Sequence, residues 1–465
     1  MRYVRIRNAN ERGGQDSMVI ELHPNAAKRF DELGNDLLNR VVACDAAESP
    51  RSGVRPDLYP TVNIPEEYIA ELRVTRSIVN GMQQEVGRLF ELGKGKFGLI
   101  HDGYKALMEL AEQIQTNSAF RDSTTVEFVR EVIFDWVIRS HPKSHGASLS
   151  AFLLQEAGEK IKDYEIWIPI HQFYVERPLS VGAIAVRTIT GEMMDAWQAK
   201  AIVREPGDEV VIQEHFSRTR SRLQGCAAAC VTVRAEKGKA LEVARFRAGR
   251  VAAFLRFFSP ANWTPKLRSY CVPLGSENVV QTAELFVEGG SIVNYERGIL
   301  DGRQPGWLLA NSVLEQFPGL LEQLSRLLLA GKRTSYQETL CDALLLYSRN
   351  SVAVEPSDKL VYILVALESI LLRNDTEPIT KSLGERMAFL IGKDIESRKA
   401  ILANVAEAYR LRSAFVHHGN SVSDVDILSI FMLNAWTCFH NLLFHRDYLD
   451  SKDQLIASLE ERKLA

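Results

Sequence analysis

Residues 358–372 read DKLVYILVALESILL, a stretch of helical length that is apolar nearly all the way round. Such a helix is stable only when other elements enclose it, so the segment predicts the centre of a helical bundle. The flanking sequence agrees. From about residue 305, GWLLANSVLEQFPGLLEQLSRLLLAG, TSYQETLCDALLLYSRN, ITKSLGERMAFLIG, IESRKAILANVAEAYRLRSAFVHH and DVDILSIFMLNAWTCFHNLLFHRDYL follow one another with short polar links. Their apolar residues recur at helical spacing, and 305–465 is expected to be all-α.

Two charges stand out inside this bundle. Glu368 falls in the middle of the all-apolar helix, and a buried carboxylate needs a partner. On the segment 396–417, a helical wheel centred on Val405 places Ile401, Leu402, Ala408, Tyr409 and Val416 within about 60° of the centre, with Arg412 about 20° from it. A guanidinium in a packing stripe needs a carboxylate or a phosphate, or else the stripe faces a cleft. The economical pairing is Glu368 with Arg412. Its plain interpretation is a structural ion pair that fixes helix register. His417 lies about 140° around a straight helix from Arg412, so one chain does not bring the two onto one face. They meet if the helix ends at Gly419, or if the Arg of one subunit faces the His of another. For each histidine alone, capping of the negative helix end is sufficient explanation.

Upstream the pattern changes. YEIWIPIHQFYVERPLSVGAIAVRTIT (164–190), AAACVTVRA (227–235) and ENVVQTAELFVE (277–288) carry β-branched and aromatic residues in alternation and are expected as strands. GKALEVARFRAGRVAAFLRFF (238–258) is expected as an amphipathic helix. Residues 146–300 thus form an α+β module. Residues 1–145 form a mixed region with extended stretches such as MVIELH (18–23). Its helices are expected within 85–139, in QEVGRLFELG, GYKALMELAEQIQ and TVEFVREVIFDWVI. The fold class is multidomain, an α+β N-terminal region followed by an all-α helical bundle, in keeping with a length of 465 residues that exceeds what one core supports.

A net charge of −3 excludes a globally basic, nucleic-acid-coating protein, though not a local basic groove. No apolar run approaches the ~20 residues of a spanning helix, and MRYVRIRNANERGG has no apolar secretory core, so a cytoplasmic protein without a membrane partner is expected. The six cysteines, at 44, 226, 230, 271, 341 and 438, lack zinc-site spacing and are expected as reduced, buried small hydrophobes. No metal or cofactor motif is found.

Three motifs have ordinary explanations. GKGKFG (93–98) matches a dinucleotide fingerprint literally, but it follows a segment expected to be helical, whereas a phosphate-binding loop follows a strand. NWT (262–264) matches a glycosylation pattern without the secretory context. In RFRAGRVAAFLRFF, Arg245, Arg247, Arg250 and Arg256 offer phosphate contacts, while Val243, Phe246, Val251, Phe254, Leu255 and Phe258 suggest a helix packed on a sheet with solvated arginines.

DKLVYILVALESILL, then SLGERMAFLIG, then AYRLRSAFVHHG, over about residues 350–446, resembles the HEPN domain in its Apea-like branch, whose motif is Arg, four to six residues, His. The resemblance implies a HEPN-type bundle and a metal-independent, cofactor-free endoribonuclease assembled when two such domains pair. Carried onto this chain, Arg412 and His417 are the motif residues. Ser413 stands where the family commonly has a polar residue, often Asn, and Glu368 matches an acidic position on an earlier helix. The tyrosine of the nucleotide-modified branch has no counterpart after His417, which is followed by His418, Gly419 and Asn420.

The chemistry suits these residue types. Cleavage by the ribose 2′-OH requires proton movement near neutral pH and compensation of charge on phosphate. His417 is the expected acid or base, Arg412 the phosphate and transition-state contact, and His418 a second proton carrier or substrate contact. Products would be a 2′,3′-cyclic phosphate and a 5′-OH, with DNA uncut. The setting implied is prokaryotic antiphage defence, with RNA as substrate, a homodimer or higher oligomer, and a phage-derived or nucleic-acid trigger. The alternative is a non-catalytic HEPN dimerisation or RNA-binding module.

Overall fold

The computed structural model describes residues 21–44 and 75–464, apart from short interruptions at 83, 93–94, 142–145, 205, 277–280, 289–290, 300–305, 330, 332, 375, 420 and 423. Of the stretch expected as extended at 18–23, residues 18–20 lie outside the described residues and 21–23 belong to no strand. The chain divides into two compact units, Met1–Tyr164 with Val233–Val243, and Glu165–Thr232 with Ala244–Ala465. The expected α+β module and the helical C-terminal third therefore fall largely within the second unit.

The first unit begins with α1 (Pro24–Leu38), which has proline in its first turn and the His23 imidazole accepting from the Asn25 N–H. Strands β1 (Val42–Ala43), β2 (Thr75–Val79), β3 (Glu85–Leu92) and β4 (Gly95–Ile100) form an antiparallel sheet in the order β1-β4-β3-β2. Helices α2 (Asp102–Gln115), α3 (Val126–Ser140) and α4 (Leu149–Lys160) follow, the last two capped by the Thr125 and Ser148 hydroxyls. Leu107, Ile114, Phe120, Ile133 and Phe134 close over the buried Phe90 and Leu99 of the sheet.

Here the expectation for QEVGRLFELG is corrected, because 85–92 is a strand and not a helix. Val86, Leu89 and Phe90 fit helical spacing, but pairing with β2 and β4 on both edges overrides that local pattern. At Gly98 a Cβ would stand 2.5 Å from the Arg88 carbonyl oxygen, so β4 lies this close to β3 only because position 98 has no side chain. GKGKFG consequently connects two antiparallel strands. Gly95–Gly98 lie within β4 itself and α2 begins only at Asp102, so the motif does not open a helix as a phosphate-binding loop must, a different reason from the one the sequence suggested.

The chain passes between units within β5 (Lys162–Pro169), β9 (Ala227–Ala235) and α7 (Lys237–Leu255). Between the first two lie β6 (Phe173–Val175), β7 (Leu179–Val181), β8 (Ile184–Thr188), α5 (Gly191–Arg204) and α6 (Glu209–Leu223). A second four-stranded sheet has the order β5-β9-β8-β7. Along β9, Val231, Val233 and Ala235 are buried while Thr232 and Arg234 are exposed, the alternation expected of a half-covered strand. On α7, Ala240, Ala244, Ala248, Val251, Ala252 and Leu255 form the buried stripe. Phe246, expected to pack, is 64% exposed.

Beyond the hairpin of β10 (Gln281–Glu288) and β11 (Ser291–Ile299), one further strand, β12 (Trp307–Leu309), pairs parallel with β6. Strand structure therefore persists just past residue 305, where only helices were expected. The remainder is helical: α8 (Asn311–Gln316), α9 (Leu320–Leu328), α10 (Ser335–Tyr347), α11 (Pro356–Leu371), α12 (Ile379–Ile391), α13 (Ile395–His418), α14 (Val425–His445) and α15 (Lys452–Leu464). As DKLVYILVALESILL implied, α11 is central, with Leu360, Ile363, Leu364, Ala366, Leu367, Ile370 and Leu371 all buried.

Trp436 of α14 stacks on Phe257 and donates to its carbonyl at 2.9 Å. Contrary to the expectation that no segment approaches membrane-spanning length, α14 is long and apolar enough to cross a bilayer, although half of its most apolar window is buried inside the protein. All six cysteines are free thiols; Cys271, Cys341 and Cys438 are buried, whereas Cys44, Cys226 and Cys230 are partly exposed. Asn262, in the NWT match, is fully buried, which leaves no room for a glycan.

Candidate functional site

The site lies on α11 and α13. Asp394 caps α13 through a reciprocal bond with Ser397, and the helix then runs unbroken to His418. It ends at Gly419 in the left-handed conformation (φ 67°), whose N–H donates to the Ala414 and Phe415 carbonyls. Ile401, Val405, Ala408 and Leu411 form its buried stripe. The stripe is turned slightly from the expected one, and Leu402 and Val416 are exposed, Val416 by 59%.

Arg412 borders this stripe, with its side chain 34% exposed. Glu368 of α11 is 19% exposed, and the Arg412 Nη1 to Glu368 Oε1 distance is 3.8 Å, an ion pair without a hydrogen bond. Tyr409 takes the closer position and donates its hydroxyl to the same Oε1 at 2.8 Å. Burial, reinforced by that carboxylate, pushes the Tyr409 phenol well above its ordinary range, so it stays a donor. The Arg412 Nε is buried and without a partner. The Nε is sealed, so it is the terminal nitrogens of this part-exposed guanidinium, tethered only by a 3.8 Å ion pair, that are suited to donate to a phosphate oxygen.

Ser413, His417 and His418 are exposed. The two imidazoles stand 6.5 Å apart, centroid to centroid. Because α13 is continuous α-helix through this region, Ser413 and His417 share a face, being four residues apart, while Arg412 and His417 are about 140° apart around the axis. The structure therefore brings Glu368, Tyr409 and Arg412 together and leaves the histidines apart from them within one chain.

The four arginines of RFRAGRVAAFLRFF do not form one surface. Arg245 and Arg247 are exposed. Arg250 donates to the Cys341 thiol at 2.7 Å. Arg256 is buried, donating to the Cys271 carbonyl at 2.8 Å and to the Ser348 hydroxyl at 3.0 Å, and its burial brings the guanidinium down to about 10. Arg250 and Arg256 act as internal ties, so the expectation of a four-arginine phosphate-binding face does not hold.

Two further charges escaped the sequence reading. Lys359 of α11 is fully buried, its Nζ donating to the Leu267 carbonyl at 2.6 Å and reaching the Ala261 carbonyl at 3.5 Å. It lies in one line with the buried Ile363, Ala366 and Ile370, so the wheel that flags Glu368 flags Lys359 as well. Arg386 of α12 is buried and forks onto Glu377 at 2.7 and 2.8 Å, with further bonds to Glu460 and the Leu371 carbonyl. Lys359 and the two terminal nitrogens of Arg386 are held by internal partners and fix packing, while the Arg386 Nε is left unpartnered. Among the described residues no group of three or more His, Cys, Asp or Glu is placed to hold a metal ion.

Fold and site together define a two-unit α+β protein whose helical bundle carries an Arg–Glu–Tyr seam beside an exposed histidine pair. No protein-family model, curated protein or solved structure matches the chain.

Proposed function

We propose that the bundle is a HEPN-type, metal-independent endoribonuclease that cleaves single-stranded RNA in a cleft shared by two copies of the chain, acting as a regulated effector in prokaryotic antiphage defence. The observation that carries this reading is Arg412, partly open, held by Glu368 only as a 3.8 Å ion pair and with its Nε unpartnered. An internal tie such as Arg386 shares the unpartnered Nε but has both terminal nitrogens in hydrogen bonds, and Arg256 is bonded at all three nitrogens, whereas Arg412 meets its carboxylate only as an ion pair.

The unbroken run of α13 favours a site composed across two copies, since one chain directs Arg412 and His417 away from each other. In such a cleft the Arg412 of one copy contacts the scissile phosphate and offsets its developing charge. The His417 of the other takes the 2′-OH proton or protonates the leaving 5′-oxygen. The 2′-oxygen then attacks phosphorus, the P–O5′ bond breaks, and a 2′,3′-cyclic phosphate and a 5′-OH result. His418 is the second proton carrier or an RNA contact, and Ser413, on the His417 face, is a substrate contact.

A second reading is a non-catalytic dimerisation or RNA-binding module, favoured by the exposed apolar side chains Leu402 and Val416 on α13 and Ile430 and Leu433 on α14. Labelled single-stranded RNA incubated with the protein in EDTA separates the two. The ribonuclease reading expects cleavage that falls by roughly 10²–10⁴ in Arg412→Ala and His417→Ala. Equal cleavage by all three proteins would place the activity elsewhere, and binding without cleavage would favour the module.

A further inference from the structure

In the second unit, Gln172, Ser259, Pro260, Leu267, Arg268, Ser269, Tyr270, Gly306 and Trp307 enclose a cavity of about 380 Å³. That lies within the range of small-molecule sites. Gln172 sits in the turn before β6 with φ 46°, a left-handed conformation that strains a side-chain-bearing residue and persists where the surroundings impose it. Its backbone carbonyl is engaged by the Trp307 N–H at 2.8 Å. Its side-chain Oε1 is buried and has no partner. That oxygen is sealed from the cavity as it stands, so a donor there meets it by a turn of the Gln172 side chain, which supplies the hydrogen bond the oxygen lacks.

The remaining wall is aromatic and cationic. Trp307 packs against Phe173 with centroids 5.1 Å apart, and the Arg268 guanidinium lies over the Tyr270 ring at 5.1 Å. Flat π-faces backed by a guanidinium favour a planar heterocycle. The loop carrying these residues is held in place before any ligand arrives. Lys359 grips the Leu267 carbonyl, Arg268 Nε donates to Val352 O at 2.9 Å, and the Ser269 N–H donates to Ser351 O at 2.7 Å. A preformed wall spares the ordering cost of binding.

We propose that this cavity is a binding site for a planar nitrogen heterocycle of the nucleobase class, whose ring or exocyclic N–H donates to Gln172 Oε1 while its faces meet Trp307 and the Arg268–Tyr270 pair. The inference rests on the cavity and is independent of the ribonuclease reading. The wall is fastened to α11, the helix that presents Glu368, so an occupant touches the structure that positions the seam.

Calorimetric titration of the full-length protein with adenosine and with guanosine tests this, alongside thermal melting. Saturable binding of at least one nucleoside is expected, with a raised Tm. Affinity should fall about tenfold or more in Gln172→Leu and in Trp307→Ala. Gln172→Gly relieves the left-handed backbone, so it should melt no lower than the parent while binding equally poorly. That variant separates loss of the acceptor from loss of the fold. No saturable binding of either nucleoside at millimolar concentration overturns the proposal, as does affinity indifferent to Gln172→Leu and Trp307→Ala.

Discussion

Glu368 serves two partners on α13, and the order of its loyalties shapes the candidate site. Tyr409 holds the carboxylate by a hydrogen bond and Arg412 stands one contact further out, so the guanidinium is oriented without being satisfied. Tyr409→Phe releases the carboxylate to Arg412. It should cost about 1.5–3 kcal/mol, the range for a hydrogen bond to a charged group, in urea unfolding, and should weaken any RNA binding that depends on Arg412. Lys359 gives a pH signature of its own. Burial lowers its ammonium from 10.5 to about 8, so between those values the unfolded chain holds a proton that the folded chain lacks. Stability should rise with pH across that window, and the penalty is fully present below about 8. Denaturation at the two ends of the window should show a gain that Lys359→Met abolishes. Glu368 and Arg412 were legible because a charge on an apolar wheel is conspicuous. Tyr409 was not, since a tyrosine in a packing stripe passes for an apolar residue until its hydroxyl is located. Lys359 carried the same signal as Glu368 but resembled the polar start of its helix.

Among the elements, long helices with wide apolar faces were readable and short strands were not. α10 to α14 follow from spacing and caps, as in α10, where Thr334 and Gln337 form a reciprocal cap. The failure at 85–92 is instructive. Val86, Leu89 and Phe90 satisfy a helical template locally, and only pairing with the neighbours β2 and β4, the latter admitted by Gly98, decides for a strand. The three-residue β12 offers too few positions for alternation to be seen, and the polar pair α5 and α6 has little buried surface to announce it. Arg386 makes a prediction at this scale. It ties α12 to Glu377, to Glu460 of α15 and to the end of α11, so Arg386→Ala leaves Glu377 with only the Arg373 N–H and Glu460 with only a 3.8 Å ion pair to Arg373. A loss of about 3–5 kcal/mol is expected in chemical denaturation, whereas Arg245→Ala on exposed α7 should change stability by less than about 0.5 kcal/mol.

For the whole molecule, each unit carries an acid-sensitive ion network. In the first, burial alone would raise Glu85, but hydrogen bonds from Ser77, Arg88 and Tyr104 outweigh it and bring the carboxyl to about 2. In the second, the Arg386 fork holds Glu377 at about 2. Both contributions are complete above the ordinary carboxylate value of 4.5 and disappear as pH falls toward 2. Circular dichroism should record acid unfolding within that window, with Glu85→Gln and Glu377→Gln each reducing the pH dependence. The proposed site depends on assembly, because the unbroken α13 places Arg412 and His417 on different faces of one chain. The most direct measurement co-expresses Arg412→Ala and His417→Ala chains under different tags, isolates the mixed dimer and assays it on labelled single-stranded RNA in EDTA. A site shared between copies predicts that each variant alone is inactive and that the mixed dimer, retaining one intact Arg412–His417 pair, recovers cleavage. A mixed dimer as inactive as its parents, beside a wild-type protein that cuts RNA, would contradict the account.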